Sequence, residues 1–151
     1  MEQALMQLAL EDARRCLTWG DVPVGAVVAR EGEILARAGN ERERRSDPSA
    51  HAEILAMREA ASRLGTWRLD GCSIYVSLEP CAMCAGAMVL ARVQRLVYAA
   101  ADPKAGFAGS LGDLVRDPRL NHRVEVIGGV LADEASGLLT EFFRRRRLGA
   151  G

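Results

Sequence analysis

Ile74-Tyr75-Val76-Ser77-Leu78-Glu79-Pro80-Cys81-Ala82-Met83-Cys84-Ala85-Gly86-Ala87-Met88-Val89-Leu90-Ala91 sets an apolar run directly before a proline-marked helix start. Ile74 to Val76 is a short apolar run that fits a buried strand. Glu79-Pro80 then opens a helix from about Cys81 to Ala91, because a proline at a helix entry lacks only an N–H that would be orphaned there. Arg95 to Ala100 reads as the next strand. Strands alternating with helices predict an α/β domain.

Toward the N-terminus the same grammar continues. Ser49 follows Pro48 and precedes an Ala-, Leu- and Glu-rich stretch, so it is expected to cap a helix from about Ala50 to Leu64. Val24 to Arg30 and Ile34 to Ala38 are β-compatible runs separated by Glu31-Gly32-Glu33, a hairpin pattern. Before them, Leu5, Leu8 and Cys16 recur at helical spacing, which predicts an amphipathic helix ending near Gly20. Toward the C-terminus come a Gly-rich loop from Asp102 to Gly112, a strand from Val124 to Ile127 and a helix from Asp133 to Arg147. The expectation is one three-layer α/β domain spanning residues 1–151, with a mixed sheet of about five strands and helices on both faces.

Composition agrees with a globular chain. Of 151 residues, 49% are hydrophobic and 26% charged, and 20 basic residues balance 20 acidic ones. Neutrality argues against a protein that simply coats nucleic acid, although Arg144 to Arg147 form a local basic run. That run fits equally a solvated helix end, favourable beside the negative pole of the helix dipole, or an anionic ligand. No stretch approaches the roughly 18 apolar residues of a membrane span, and the first residues carry Glu2, Glu11 and Asp12, unlike an export signal. With Cys81 and Cys84 only three apart, the cysteines favour thiols and metal over disulfides, hence a reducing cytoplasm. Cys16 and Cys72 are isolated and are expected in the core.

Cys81 and Cys84 fall in one predicted helical turn, where they are neighbours and where the helix N-terminus stabilises thiolates. They form half of a zinc site, and His51 is the best third ligand. One imidazole and two thiolates leave a fourth tetrahedral position for water, the mark of a catalytic zinc that makes hydroxide available near neutral pH. Glu53, two residues beyond His51, is poorly spaced to ligate the same ion but long enough to reach that water as a general acid/base. A lone Cys-x-x-Cys also fits a redox pair, and a lone His-x-Glu carries little. Both motifs opening helices in one small α/β domain favour the metal.

His51-Ala52-Glu53 followed by Pro80-Cys81-x-x-Cys84 resembles the zinc-dependent cytidine deaminase superfamily. Asp21 to Val27, Asn40, Asp47 to Glu53, Leu78 to Ala87, Asp102 to Gly106, Gly109 to Leu111, Asn121-His122 and Phe142-Phe143 narrow the resemblance to its bacterial tRNA-specific adenosine deaminases. The resemblance implies hydrolysis of adenosine to inosine at the wobble position of a tRNA anticodon, chiefly of arginine tRNA, by a cytoplasmic homodimer with one Zn2+ per subunit. It implies His51, Cys81 and Cys84 as zinc ligands and Glu53 as proton shuttle. It places Asn40 and the backbone of Ala52 against the flipped base, and Asp102, Lys104 and Asn121 on loops that hold neighbouring nucleotides. Lys104 is the sole lysine, and its place in a Gly-rich loop fits either a phosphate contact or chance placement in a solvated loop. Phe107 departs from the small residue usual there, and either reshapes this loop or packs under it.

Two other readings share parts of this pattern. A zinc deaminase acting on a free base or nucleoside would use the same chemistry in another pocket, without need of a basic helix end. A silent, zinc-stabilised RNA-binding module would gain nothing from Glu53 beside an open coordination position.

Overall fold

The computed structural model describes residues 1–149. Helix α1 (Glu2–Arg15) runs into a 3-10 turn at Cys16–Trp19 that ends on left-handed Gly20, where the sequence places the end of the helix. Strands β1 (Gly25–Arg30) and β2 (Glu33–Gly39) form the hairpin. Its two connecting residues, Glu31 at φ 52° and Gly32 at φ 79°, both take the positive φ of a type I′ turn, which matches the twist of paired strands. Then follow α2 (Ala52–Leu64), β3 (Ser73–Leu78), α3 (Ala82–Leu90), β4 (Arg95–Ala100), β5 (Glu125–Ile127) and α4 (Ala132–Gly149).

The five strands make one mixed sheet in the order β2-β1-β3-β4-β5. β1 is antiparallel to both β2 and β3, whereas β3, β4 and β5 run parallel. Period-two alternation sends each strand's side chains to two separate cores. Ala26, Val28, Ile74, Val76 and Leu96 pack under α2 and α3 with Ala56, Met57, Met88 and Val89. Val27, Ala29, Tyr75, Val97 and Ala99 face α1 and α4 with Met6, Leu10 and Ala135. The result is the expected three-layer arrangement with helices on both faces. Cys16 and Cys72 are buried in it, and burial pushes the Cys16 thiol up to about 11.

Helix α1 lies unusually close to the sheet because Gly25 and Gly39, register partners on β1 and β2, present no side chain to it. A Cβ on Gly25 would overlap the backbone of Ala9, and one on Gly39 would meet Asp12 O and Cys16 Sγ.

β2 and β3 are each antiparallel to β1, so they run the same way and α2 crosses between them, as α3 crosses between β3 and β4. Both crossover helices therefore start at the carboxyl ends of parallel strands, the customary place for a ligand in an open α/β sheet. β4 ends at that same edge, at Ala100.

One expected detail is wrong. Ser49 does not cap α2: the N-cap is His51, and the helix begins at Ala52 rather than Ala50. The Ser49 hydroxyl instead donates to Asp47 Oδ1 at 2.7 Å, and the same oxygen accepts the Ser49 N–H at 2.9 Å. This local turn delays the helix by two residues and leaves His51 extended, at φ −74° and ψ 150°. At α3 the start shifts by one residue, with Cys81 itself the N-cap.

Candidate active site

At the shared edge of the sheet the two N-caps face each other. His51 and Cys81 occupy the cap positions of α2 and α3, and Cys84 stands one turn into α3. His51 Nδ1 lies 3.6 Å from Cys81 Sγ and 3.5 Å from Cys84 Sγ. Ligand atoms of the three residues all fall within 4.8 Å of one another, and they are the only such group among the described residues. A tetrahedral zinc with bonds of about 2.0 Å to nitrogen and about 2.3 Å to sulfur separates those donors by about 3.5 Å. The side chains are thus already set for the ion that their chemistry favours.

Protonation follows from these contacts. The hydrogen bond from the Cys84 thiol, and then the neighbouring His51, hold the Cys81 thiol down to about 4. That same bond, together with burial, pushes Cys84 up, and the contact with Cys81 raises His51. Cys81 is therefore the first thiolate of the set, at the positive end of α3. Glu53, in the first turn of α2, is 4% exposed, and burial pushes its carboxyl from an ordinary 4.5 up to about 7. Both its forms are accessible near neutral pH, as a group that takes and returns a proton requires.

His51, Glu53 and Cys81 line a cavity of about 730 Å³, within the range of about 300–1,000 Å³ typical of ligand sites, while Cys84 is buried beside it. Asn40, Ala52, Asp102 and Lys104 also line it, as expected from sequence. Asn40 is already engaged: its Nδ2 donates to Val22 O at 3.1 Å and its Oδ1 accepts the Arg42 N–H at 3.0 Å. Asp102 Oδ1 accepts the N–H groups of Lys104 and Ala105 at 3.0 and 3.2 Å, which shapes the turn that presents Lys104.

Asn121 is not among the residues that line this cavity. It is exposed, and the segment behind it joins the amino end of β4 through Glu125 N–H to Gln94 O at 3.0 Å. The cavity opens beyond the carboxyl end of that strand, about 20 Å away for six residues. His122, next in sequence, lies 2.7 Å from Val93 O at the same distant end.

Phe107 packs against the core beneath the loop, with its N–H donated to Pro80 O at 2.8 Å. The arginine run divides. Arg144 and Arg145 both bind Glu141, each with a closest approach of 2.7 Å, while Arg146 and Arg147 line the cavity. Ser136, Leu139 and Thr140 line the cavity together with Phe143, although nothing in the motifs singles them out. A signal for them is present, since positions 136, 139, 140 and 143 follow the i, i+3, i+4, i+7 spacing of one helix face. Glu79, expected only to open a helix, is 2% exposed and anchors the 102–110 loop.

A three-layer α/β fold with a His/Cys/Cys donor set and a buried glutamate beside it defines the cytidine deaminase-like class of zinc deaminases. The MafB19-like deaminase family model matches residues 1–147. The chain is 49% identical over 146 residues to a tRNA-specific adenosine deaminase of Bacillus subtilis (strain 168), covering 97% of this chain and 91% of that protein. A solved structure from work on A-to-I editing by tRNA:A34 deaminases at the wobble position of transfer RNA superposes with a TM-score of 0.87. It is 41% identical and covers 90% of this chain and 99% of its own. A guanine deaminase from Nitrosomonas europaea is more distant, at 29% identity and a TM-score of 0.79, covering 93% of this chain and 83% of its own. The chain belongs to the MafB19-like deaminases and, among them, to the family of tRNA-specific adenosine deaminases.

Proposed function

We propose that this chain, as a single domain over residues 1–151, hydrolyses adenosine to inosine and ammonia at the wobble position of a tRNA anticodon, chiefly of arginine tRNA. The observation that carries the reading is the meeting of His51, Cys81 and Cys84 in one cluster that borders, with a buried Glu53, a single cavity in a chain of this family. His51, Cys81 and Cys84 are the residues that would hold zinc, which when bound supplies a water acidic enough to act as a nucleophile near neutral pH.

The chain's own residues do the rest. Glu53 takes a proton from the attacking water and delivers it to the ring nitrogen, then takes the second proton from the hydroxyl now on C6 and passes it to the amino group, which departs as ammonia. To reach this group a base must leave its stack, and the cavity is roomy enough to take it. Asn40 and the first backbone N–H groups of α2, at Ala52, border the space for the base, since a helix start leaves those amides without intrahelical partners. Phe143, Lys104, Arg146 and Arg147 supply an aromatic face and positive charge at the wall, suited to the neighbouring nucleotides.

We also propose a homodimer. Met83 and Leu90 are exposed apolar side chains seven residues apart on one face of α3, a surface suited to a second copy. No helix among the described residues is long and apolar enough to cross a membrane, and a tRNA substrate fits a cytoplasmic enzyme.

A second reading, deamination of a free purine, draws on the similarity to the guanine deaminase. The test offers zinc-loaded protein an anticodon stem-loop that begins with adenosine and, separately, free adenosine, cytidine and guanine. Inosine in the RNA alone supports the proposal. Turnover of a free base or nucleoside alone replaces it with the second reading.

A further inference from the structure

Glu79 stands two residues before Cys81, and its carboxylate is held by the loop that leaves the carboxyl end of β4. Four donors converge on it. Oε1 accepts the Asp102 N–H at 2.9 Å and the Ser110 hydroxyl at 2.5 Å, and Oε2 accepts the N–H groups of Ala108 and Ser110, each at 3.0 Å. Gly106 passes so close that a Cβ there would overlap the carboxylate. Residues 102–110 are thus wound around one buried anion.

The chemistry of this hub is selective. All four partners are donors, and only an ionised carboxylate offers them two acceptor oxygens. A glutamine in the same place would turn an NH2 group toward backbone N–H groups. The loop held in this way carries Asp102 and Lys104, both in the cavity wall, and its Asp102 turn presents Lys104.

We propose that Glu79 is a positioning residue for substrate recognition: through its grip on residues 102–110 it holds Asp102 and Lys104 in the one arrangement that receives the nucleotides beside the target base. It acts through the loop and on binding more than on the proton transfers. What the loop faces rests on the functional reading above; the hydrogen-bonded hub does not.

The test compares Glu79→Gln and Ser110→Ala with the wild type, all zinc-loaded, on an anticodon stem-loop. Expected are a KM raised about 10-fold in Glu79→Gln and about 3-fold in Ser110→Ala, with the larger part of each loss in KM rather than kcat. Zinc content should match the wild type, and the Asp102 and Ala108 amides should exchange faster with deuterium. An unchanged KM in both variants overturns the proposal, as does a joint fall of kcat and zinc content with KM fixed, which would make Glu79 a support for the metal ligands. Ser110→Ala alone decides the matter if Glu79→Gln does not fold. If the wild type makes no inosine in RNA, the functional reading has failed. Deuterium exchange then decides alone, and unaltered protection in both variants overturns the hub.

Discussion

Replacing Glu53 by glutamine keeps the volume of a side chain that is 4% exposed, removes its ability to ionise and turns one acceptor oxygen into an NH2 donor. The size of the effect follows from the site. Burial raises this carboxyl from 4.5 to about 7. At pH 7 an ordinary glutamate is protonated in only about 0.3% of molecules, while one titrating at 7 is protonated in about half, so acid and base forms coexist. General acid/base catalysis of this kind contributes about 100- to 10,000-fold, equivalent to about 3–5 kcal/mol of barrier. The assay is single-turnover inosine formation on an anticodon stem-loop with enzyme in excess, alongside metal analysis of the same samples. Glu53→Gln should retain its zinc and lose at least about 100-fold in rate. Activity within about 10-fold of wild type, with zinc intact, would rule out Glu53 as the group that moves the protons.

The pH profile gives an independent check. The ionised form must take the first proton, so the wild-type rate should fall as pH drops through the value of this carboxyl, and the residual rate of Glu53→Gln should lack that limb. Stability carries the opposite sign. A folded-state value raised above the unfolded one favours the protonated form in the folded protein. In metal-free protein this contribution is full below about 4.5 and is lost as pH rises through about 7, a dependence that Glu53→Gln should remove.

Three further outcomes follow from the geometry. Arg146→Ser with Arg147→Ser should reduce the salt dependence of stem-loop binding, measured by filter binding, by about 1.5 in logarithmic slope, while Arg144→Ser with Arg145→Ser, already bound to Glu141, should change it by less than half as much. Equal effects of the two pairs would remove the distinction. Chelation of zinc should abolish turnover and leave the circular dichroism spectrum intact, because the two apolar cores form without the His51, Cys81 and Cys84 cluster; collapse of the spectrum on chelation would show a structural metal. Gly25→Ala should cost about 3 kcal/mol or more in urea unfolding, since its Cβ would overlap Ala9 backbone, and a loss below about 1 kcal/mol would contradict the close seating of α1.

Much of this molecule is legible in its amino-acid order. The hairpin lies in Glu31-Gly32, the central strands in their apolar runs and the helices in their periodicity, because these signals depend on residues a few positions apart. The ligands His51, Cys81 and Cys84 are legible for a related reason. Each lies at or just after a helix start, and cysteines three apart in a first turn are neighbours wherever that helix is placed. Ser49 misleads because two local hydrogen-bonding options compete there, and the turn with Asp47 wins over the helix cap.

The alternation of elements, the three candidate ligands with Glu53 nearby and the family resemblance they carry are all written in local residue order. Which distant residues join them depends on how the chain folds back on itself. Asn121 and Asp102 are both loop residues in sequence, yet the direction of β4 sends one to the amino end of the sheet and the other to the carboxyl end where the cavity opens. The arginine run is uniform in sequence, yet helix periodicity turns Arg146 and Arg147 to the cavity while Glu141 holds Arg144 and Arg145. Glu79 became the anchor of residues 102–110 only because parallel pairing brings the ends of β3 and β4 side by side. Local spacing encodes which residues share a turn; strand order and direction, set by burial of both faces of the sheet, decide which turns meet.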